Sequence, residues 1–502
     1  MMQRRRILIN AIMSVLQIGV IGGVLFILYK FLLHTIGVQQ FGVWTLVTAI
    51  TSVNQVANLG LSGSVVKFVA KYIAREEHES VSGIIQTSFL SIGIVIGLLV
   101  LAGYPLIKWI LSLVVPPESL HLAIDILPLS LLALWLLMLT SIVQAGLDGY
   151  QRMDIRSFIL MGGAISRLIL CFILAPAYGL MGLAYTEVIQ NFAVMTIGWF
   201  LLKKQLPILP LIPYKWNKKL FKEIFRYGLN FQVITITTML YDPITKAFLS
   251  KFGSLSTVGY YEMANKMVQQ FRAFIVSANQ VIVPAIAVLQ EKMPDKIQSV
   301  YRSSYKLLFY LSLPLYSFII LCVPLISELW IGHYESIFVM FGILLAIGWF
   351  LNTLNVPAYF AYLGIGELYW NVIGHIAIGI LNAGLGFVLG SLYGGTGVVI
   401  AWVISLALGS SVIYIAYHLK YGIPLSELIP KESRIIAVIC ISGLTAIFLI
   451  KSSIHFTPST TLLNSIMLLT FSVIISLPLW FHPMRKKLFG WVTNELLNKK
   501  YV

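Results

Sequence analysis

Residues 84–111 read IIQTSFLSIGIVIGLLVLAGYPLIKWIL, an apolar run whose one charge is Lys108. About 20 such residues in an α-helix cross a hydrocarbon core of roughly 30 Å. The run is long enough to span, and the chain repeats it at 10–33, 41–66, 122–147, 158–175, 179–202, 227–249, 260–289, 307–330, 337–362, 370–389, 396–417, 435–450 and 462–480. Composition agrees. The 502 residues are 58% hydrophobic and 11% charged, with a mean hydropathy of +0.89, against roughly 45–50% apolar usage in a soluble domain. The expectation is an all-α polytopic membrane protein with about 14 transmembrane helices.

The net charge of +16 does not indicate nucleic acid, because a DNA-binding face gathers its Lys and Arg on one soluble surface. Here they sit in short segments between apolar runs. Lys and Arg are retained on the cytoplasmic side of such segments. With the N-terminus inside, alternate segments collect all of the 35 Lys and Arg except Lys30, Lys108, Arg167, Lys246, Lys251, Lys266, Arg272 and Lys451. Both termini are then cytoplasmic. Segment 363–369 alone carries no base to support its inside placement. Arg4, Arg5 and Arg6 ahead of the first run resemble a secretion signal, but the run is too long and lacks a small-residue cleavage site, so it reads as a retained first span. Cys171, Cys322 and Cys440 lie in apolar runs without metal or disulfide spacing and read as core residues.

The halves repeat each other. Tyr178-Gly179-Leu180-Met181-Gly182 matches Tyr393-Gly394-Gly395-Thr396-Gly397 at an offset of 215, Gly149 and Gly364 share that offset, and Phe41-Gly42-Val43-Trp44 parallels Val258-Gly259-Tyr260-Tyr261 at an offset of 217. A duplicated unit of six spans keeps its orientation, so the expected architecture is two six-helix bundles related by a pseudo-twofold along the membrane normal, plus two C-terminal helices. The bounds read as 1–202, 227–420 and 421–502, with a basic connector at 203–226. In that connector Trp216, Leu220, Phe221, Ile224 and Phe225 recur at helical spacing opposite Lys215, Lys218, Lys219 and Lys222. This is the pattern of an interfacial amphipathic helix, whose lysines either attract anionic lipid or enforce topology.

Catalysis would need a sizeable loop or a polar cluster suited to acid and base work. The outer loops, such as 112–121 and 331–336, are short and their acids isolated, and neither a nucleotide loop nor a metal-ligand spacing occurs. An enzyme is not expected, and no metal site. Ionisable residues inside apolar runs are costly, roughly 2.5–3.5 kcal/mol at a helix centre, and mark interior or aqueous surroundings. They are Lys30, Arg167, Glu187, Asp242, Lys246, Glu262, Lys266 and Arg272. Asp242 and Lys246 are four apart, as are Glu262 and Lys266, a spacing that also allows simple neutralisation. Lys30, Arg167 and Arg272 have no acid nearby in sequence. A cationic cavity of Arg167, Arg272, Lys246, Lys266 and Lys30 suits an anionic substrate, with Lys30 also placed to snorkel. Asp242, Glu262 and Glu187 are the candidate coupling and charge-pair residues. Asn54, Gln55 and Asn58, and Gln269, Gln270, Asn279 and Gln280, add polar faces that could equally hydrogen-bond between helices. Pro243 beside Asp242 suggests a bend that frees carbonyls next to a charge.

Residues 36–44, IGVQQFGVW, and 57–70, ANLGLSGSVVKFVA, resemble the opening signature of the polysaccharide-transporter flippases in the multidrug, oligosaccharidyl-lipid and polysaccharide exporter superfamily. Residues 144–149, 242–253, 258–264 and 393–397 extend the resemblance over nearly the whole chain. It implies alternating access between the bundles, and translocation of an undecaprenyl-pyrophosphate-type oligosaccharide to the outer leaflet for O-antigen, capsule or exopolysaccharide. It further implies the cell inner membrane, no bound cofactor, coupling to a H⁺ or Na⁺ gradient, and a cationic lumen mapping onto Arg167, Asp242, Lys246, Lys266 and Arg272. The implied partners are the lipid-linked glycan, membrane lipids, a polymerase and glycosyltransferases. Span one lacks both the arginines of the lipid II flippase branch and the acid of the drug-exporting branch, while the two extra C-terminal spans offer a groove for a polyprenyl tail. A cation-coupled drug exporter of the same fold is the alternative. A membrane glycosyltransferase fits the short loops badly, and a scaffold leaves the intramembrane charge unexplained.

Overall fold

The computed structural model describes residues 2–52, 61–229, 237–279, 286, 289–290, 293–453 and 461–485. Its α-helices are α1 (Met2–Ser52), α2 (Leu61–Ala74), α3 (His78–Val114), α4 (Pro117–Gly149), α5 (Met153–Gln205), α6 (Lys218–Leu229), α7 (Tyr241–Phe252) and α8 (Leu255–Asn279). They continue with α9 (Ile297–Ile331), α10 (Ser336–Thr353), α11 (Val356–Ile365), α12 (Tyr369–Lys420), α13 (Arg434–Ser453) and α14 (Thr461–Phe481). No strand occurs among the described residues. Lipid offers backbone groups no partner, so a spanning segment must satisfy them within its own helix.

Nine helices among the described residues are long and apolar enough to cross a membrane. Three of these hold an internal glycine joint: α1 at Gly37 (φ 77°, ψ 162°), α5 at Gly179 (φ 56°, ψ −131°) and α12 at Gly394 (φ 62°, ψ −149°). α5 and α12 each carry two of the expected spans, while α1 carries the first and the start of the second, whose residues 53–60 lie outside the described residues; each joint is a residue in a region open essentially to glycine alone. The expected spans at 227–249 and 260–289 fall on α7 and α8, with 230–236 and 280–285 outside the described residues. Leu101, Ile441, Phe448 and Val473 stand exposed on their helices, as side chains solvated by lipid do.

The repeat is visible in the backbone. A Cβ added to Gly182 would stand 2.2 Å from the carbonyl oxygen of Leu174, and one added to Gly397 would stand 1.9 Å from that of Leu389; both pairs keep the offset of 215. At the other match the contact is reciprocal. A Cβ on Gly42 would meet the Leu255 carbonyl oxygen at 1.9 Å, and one on Gly259 would meet that of Val38 at 2.8 Å. Residues 38 and 42 thus touch 255 and 259 in the crossed pattern that a twofold relation produces.

The chain forms two compact units. One is Met1–Glu262 with Phe387–Val398, the other Met263–Gly386 with Val399–Val502. In the first, Val65, Ile84, Ile85, Ile142, Val143 and Leu202 form a core among α2, α3, α4 and α5. In the second, Tyr301, Tyr310, Tyr362, Tyr417, Cys440 and Phe471 share a core to which α13 and α14 contribute. Phe318 and Phe471 meet edge to face at 5.5 Å. Just beyond α14, His482 stacks on Tyr310 at 4.6 Å and accepts from the Met484 N–H at 3.2 Å, and burial lowers its pKa. Cys171 and Cys440 are buried and Cys322 half-buried, all free thiols.

The connector carries the helix α6, and part of its apolar stripe meets protein. Glu223 of α6 pairs with Lys71 at 3.1 Å and accepts from the Tyr72 hydroxyl at 3.2 Å, while Ile224 is fully buried and Leu220 packs on the α2–α5 core. Of the stripe, Ile224 is buried, Leu220, Phe221 and Phe225 are half-buried, and Trp216 is half exposed.

Candidate functional site

Two buried polar clusters hold most of the intramembrane charges, one in each unit. In the first unit, α7 starts at Tyr241, so Asp242 stands in its first turn, where the helix dipole favours an acid. Pro243 also falls in that turn, where a missing N–H leaves no helical bond unmade; residues 237–239 are helical too, and the interruption at Leu240 lies three residues ahead of Pro243, within the expected span. One turn on, Lys246 is 3% exposed, with Nζ 2.7 Å from Asp242 Oδ2 and 2.7 Å from Glu262 Oε2 of α8. The Tyr29 hydroxyl of α1 donates to Glu262 Oε1 at 3.3 Å. Three helices thus converge on one ammonium and two carboxylates.

Arg167 and Glu187 meet within α5, on either side of the Gly179 joint, with Nη2 3.2 Å from Oε1. The guanidinium also lies 5.3 Å from the ring centroid of Trp44. Glu187 supplies the acid that the sequence around Arg167 lacks. In this unit the bases Lys246 and Arg167 therefore stand against the acids Asp242, Glu262 and Glu187, and the cluster is not cationic.

The second unit differs. Arg272 of α8 donates from Nη2 to Asn352 Oδ1 at 2.9 Å, and its guanidinium lies 4.8 Å from the Trp349 ring centroid. Asn352 Nδ2 donates to Ser410 Oγ at 2.7 Å. Trp349 Nε1 donates to Asn265 Oδ1 at 2.9 Å, which also accepts from Gln269 Nε2 at 3.1 Å. No carboxylate pairs with Arg272 among the described residues. An amide and an aromatic face orient the guanidinium without a counter-charge.

The expected set therefore divides. Asp242, Lys246 and Glu262 come together, Arg167 and Glu187 come together, and Arg272 stands among neutral polar groups. Lys30 and Lys266 are exposed on their helices. Asn279 accepts from Ser304 Oγ at 2.9 Å and donates to the Ile275 carbonyl, a helix-to-helix role. Asn54, Gln55, Asn58 and Gln280 lie outside the described residues. Sequence reading missed Tyr29, Trp44, Asn265, Trp349, Asn352 and Ser410. Asn265 and Asn352 could have been found as amides inside apolar runs; the others carry no local signal. No group of residues suited to a metal ion occurs among the described residues.

The polysaccharide biosynthesis protein family matches residues 33–334. No curated protein matches the chain. Among solved structures, the chain is similar to the lipid II flippase MurJ in an inward closed conformation, with a TM-score of 0.68 at 14% identity, covering 93% of this chain and 98% of that one. It is similar to an inward-facing multidrug resistance MATE family transporter, with a TM-score of 0.67 at 16% identity and coverage of 81% and 94%. A third, from Pyrococcus furiosus and described by the reverse polarity of its binding pocket, gives 0.56 at 17% identity over 84% and 94%. The chain belongs to the polysaccharide biosynthesis protein family and has the membrane-transporter fold of the multidrug, oligosaccharidyl-lipid and polysaccharide superfamily.

Proposed function

We propose that the protein is a flippase that carries a lipid-linked, undecaprenyl-pyrophosphate-type oligosaccharide from the cytoplasmic to the outer leaflet of the inner membrane by alternating access, in O-antigen, capsule or exopolysaccharide synthesis. The observation that carries this reading is Arg272, a cation with no carboxylate partner among the described residues, set beside Trp349, Asn352 and Asn265. A cation suits a pyrophosphate, while an aromatic face and amides suit a sugar. Such a head group cannot enter hydrocarbon without leaving its polar atoms unpaired, so it needs a lined path.

Cargo with a long apolar tail is further supported by α13 and α14. The flippase alignment covers 93% of the chain where the drug transporter alignment covers 81%. Coupling to a H⁺ or Na⁺ gradient falls in this proposal to Asp242, Lys246 and Glu262, where a cation entering between the carboxylates competes with the ammonium.

Deleting the gene and assaying which leaflet holds the lipid-linked glycan tests the reading. Accumulation in the cytoplasmic leaflet is expected, and unchanged surface glycan with raised dye sensitivity would point to drug export instead. Arg272→Ala is expected to abolish transport at normal expression, with Arg272→Lys retaining a part. Wild-type transport by Arg272→Ala would remove the site.

A further inference from the structure

Between α5 and α6 the chain runs from Leu206 to Asn217 outside any helix, yet it is tightly held. Trp199 Nε1 donates to the Pro210 carbonyl at 3.1 Å, and Gln86 Oε1 accepts from the backbone N–H groups of both Tyr214 and Lys215 at 3.2 Å. Thr87 Oγ1 accepts from Asn217 N–H at 3.2 Å, and Trp216 Nε1 donates to Ser91 Oγ at 2.9 Å. Leu206 and Leu209 are buried beneath. A segment pinned in this way has little freedom to fold its outward side chains away from their surroundings.

Those outward side chains are apolar. Ile208, Leu211, Ile212, Tyr214 and Trp216 are all at least half exposed, Ile212 at 77%. An apolar group of this size on a rigid surface marks an interaction site. Its partners on α3 set its depth, because Gln86, Thr87 and Ser91 belong to the apolar run 84–111. Ser91 lies about seven residues into it, roughly 10 Å at the 1.5 Å rise of a helix. That is the depth at which monotopic segments seat, about 5–10 Å into the headgroup and acyl boundary.

The rim is basic. Lys204, Lys215, Lys218, Lys219 and Lys222 are exposed, and none is paired with a carboxylate among the described residues. The neighbouring acid, Glu223, is held by Lys71 and Tyr72. We infer that residues 208–216 form a membrane-seated wedge whose lysine rim binds the phosphates of anionic phospholipid in the cytoplasmic leaflet. The occupant is lipid rather than a protein partner because the exposed apolar side chains are fastened to an apolar spanning run and flanked by lysines without carboxylate partners, a combination that suits acyl chains beside phosphate. The site is independent of the cargo, and it adds the loop before α6 to the lipid contact that the lysines of α6 make.

The test uses the full chain in bilayers of phosphatidylcholine, with and without phosphatidylglycerol. A spin label on Ile212→Cys is expected to relax with oxygen rather than with a water-soluble nickel chelate; chelate-dominated relaxation would overturn the wedge. Phosphatidylglycerol is expected to raise the thermal midpoint of the wild type. That shift should vanish in the Lys215→Gln, Lys218→Gln, Lys219→Gln variant and persist when the same three are Arg. An undiminished shift in the Gln variant would overturn the lysine rim. Lysines serving only topology would give the same midpoint in both lipids for the wild type, which also sinks the proposal.

Discussion

Lys246 shows what one residue can decide in this chain. A buried ammonium with a carboxylate at 2.7 Å on each side roughly offsets its desolvation, but either partner left alone is a bare charge in a low dielectric. Removing one member of such a group costs about 3–5 kcal/mol. Lys246→Met is therefore expected to lower the thermal midpoint in detergent sharply, and adding Glu262→Gln should recover a part, since fewer charges are then stranded. Equal midpoints for Lys246→Met and wild type would show that the ammonium is not holding the cluster. The Asp242–Lys246 pair was legible because four residues make one helical turn. The Lys246–Glu262 pair was not, since Glu262 was read beside Lys266 on its own helix.

At the scale of elements, the three long rods depend on glycine. Gly394 at φ 62°, ψ −149° occupies backbone space that a Cβ excludes, and forcing another residue there costs about 1–3 kcal/mol. Gly394→Ala is expected to lower the thermal midpoint while Gly384→Ala, with open space around its Cβ, leaves it unchanged; equal effects would show that the joint carries no strain. Gly42→Ala and Gly259→Ala should both destabilise, because each would drive a methyl into a backbone carbonyl. Sequence comparison found these glycines as repeat markers. That they are single-residue joints and crossed contacts was not legible, because an apolar run reads alike on both sides of a kink.

At the scale of the whole molecule, alternation of basic and base-free segments is a statement about topology. An impermeant maleimide is expected to label Glu76→Cys and Gln151→Cys from the cytoplasmic side, and Tyr334→Cys from the outside. Glu76 and Gln151 both sit in tight turns at positive φ, so Asn at each provides a folding control. Labelling of all three from one face would break the span order on which the orientation rests. The two final helices follow the same logic of scale. Their hydropathy placed them in the membrane, and their packing with Tyr301, Tyr310 and Phe318 made them part of the second unit.

The sequence by itself determined that this is a helical membrane protein with duplicated halves and a short roster of intramembrane charges. Hydrophobic length, periodicity and charge placement are local properties, and lipid leaves backbone groups few alternatives. Only the tertiary structure decided which charges cancel and which remain. Lys246 and Arg167 are answered by carboxylates, Arg272 is met by Asn352 and Trp349, and Leu220 and Ile224 of α6 pack on the core of the first unit. The reason is one of distance, since an ion pair or a hydrogen bond acts over a few ångströms while its partners lie 16, 20 or 80 residues apart along the chain.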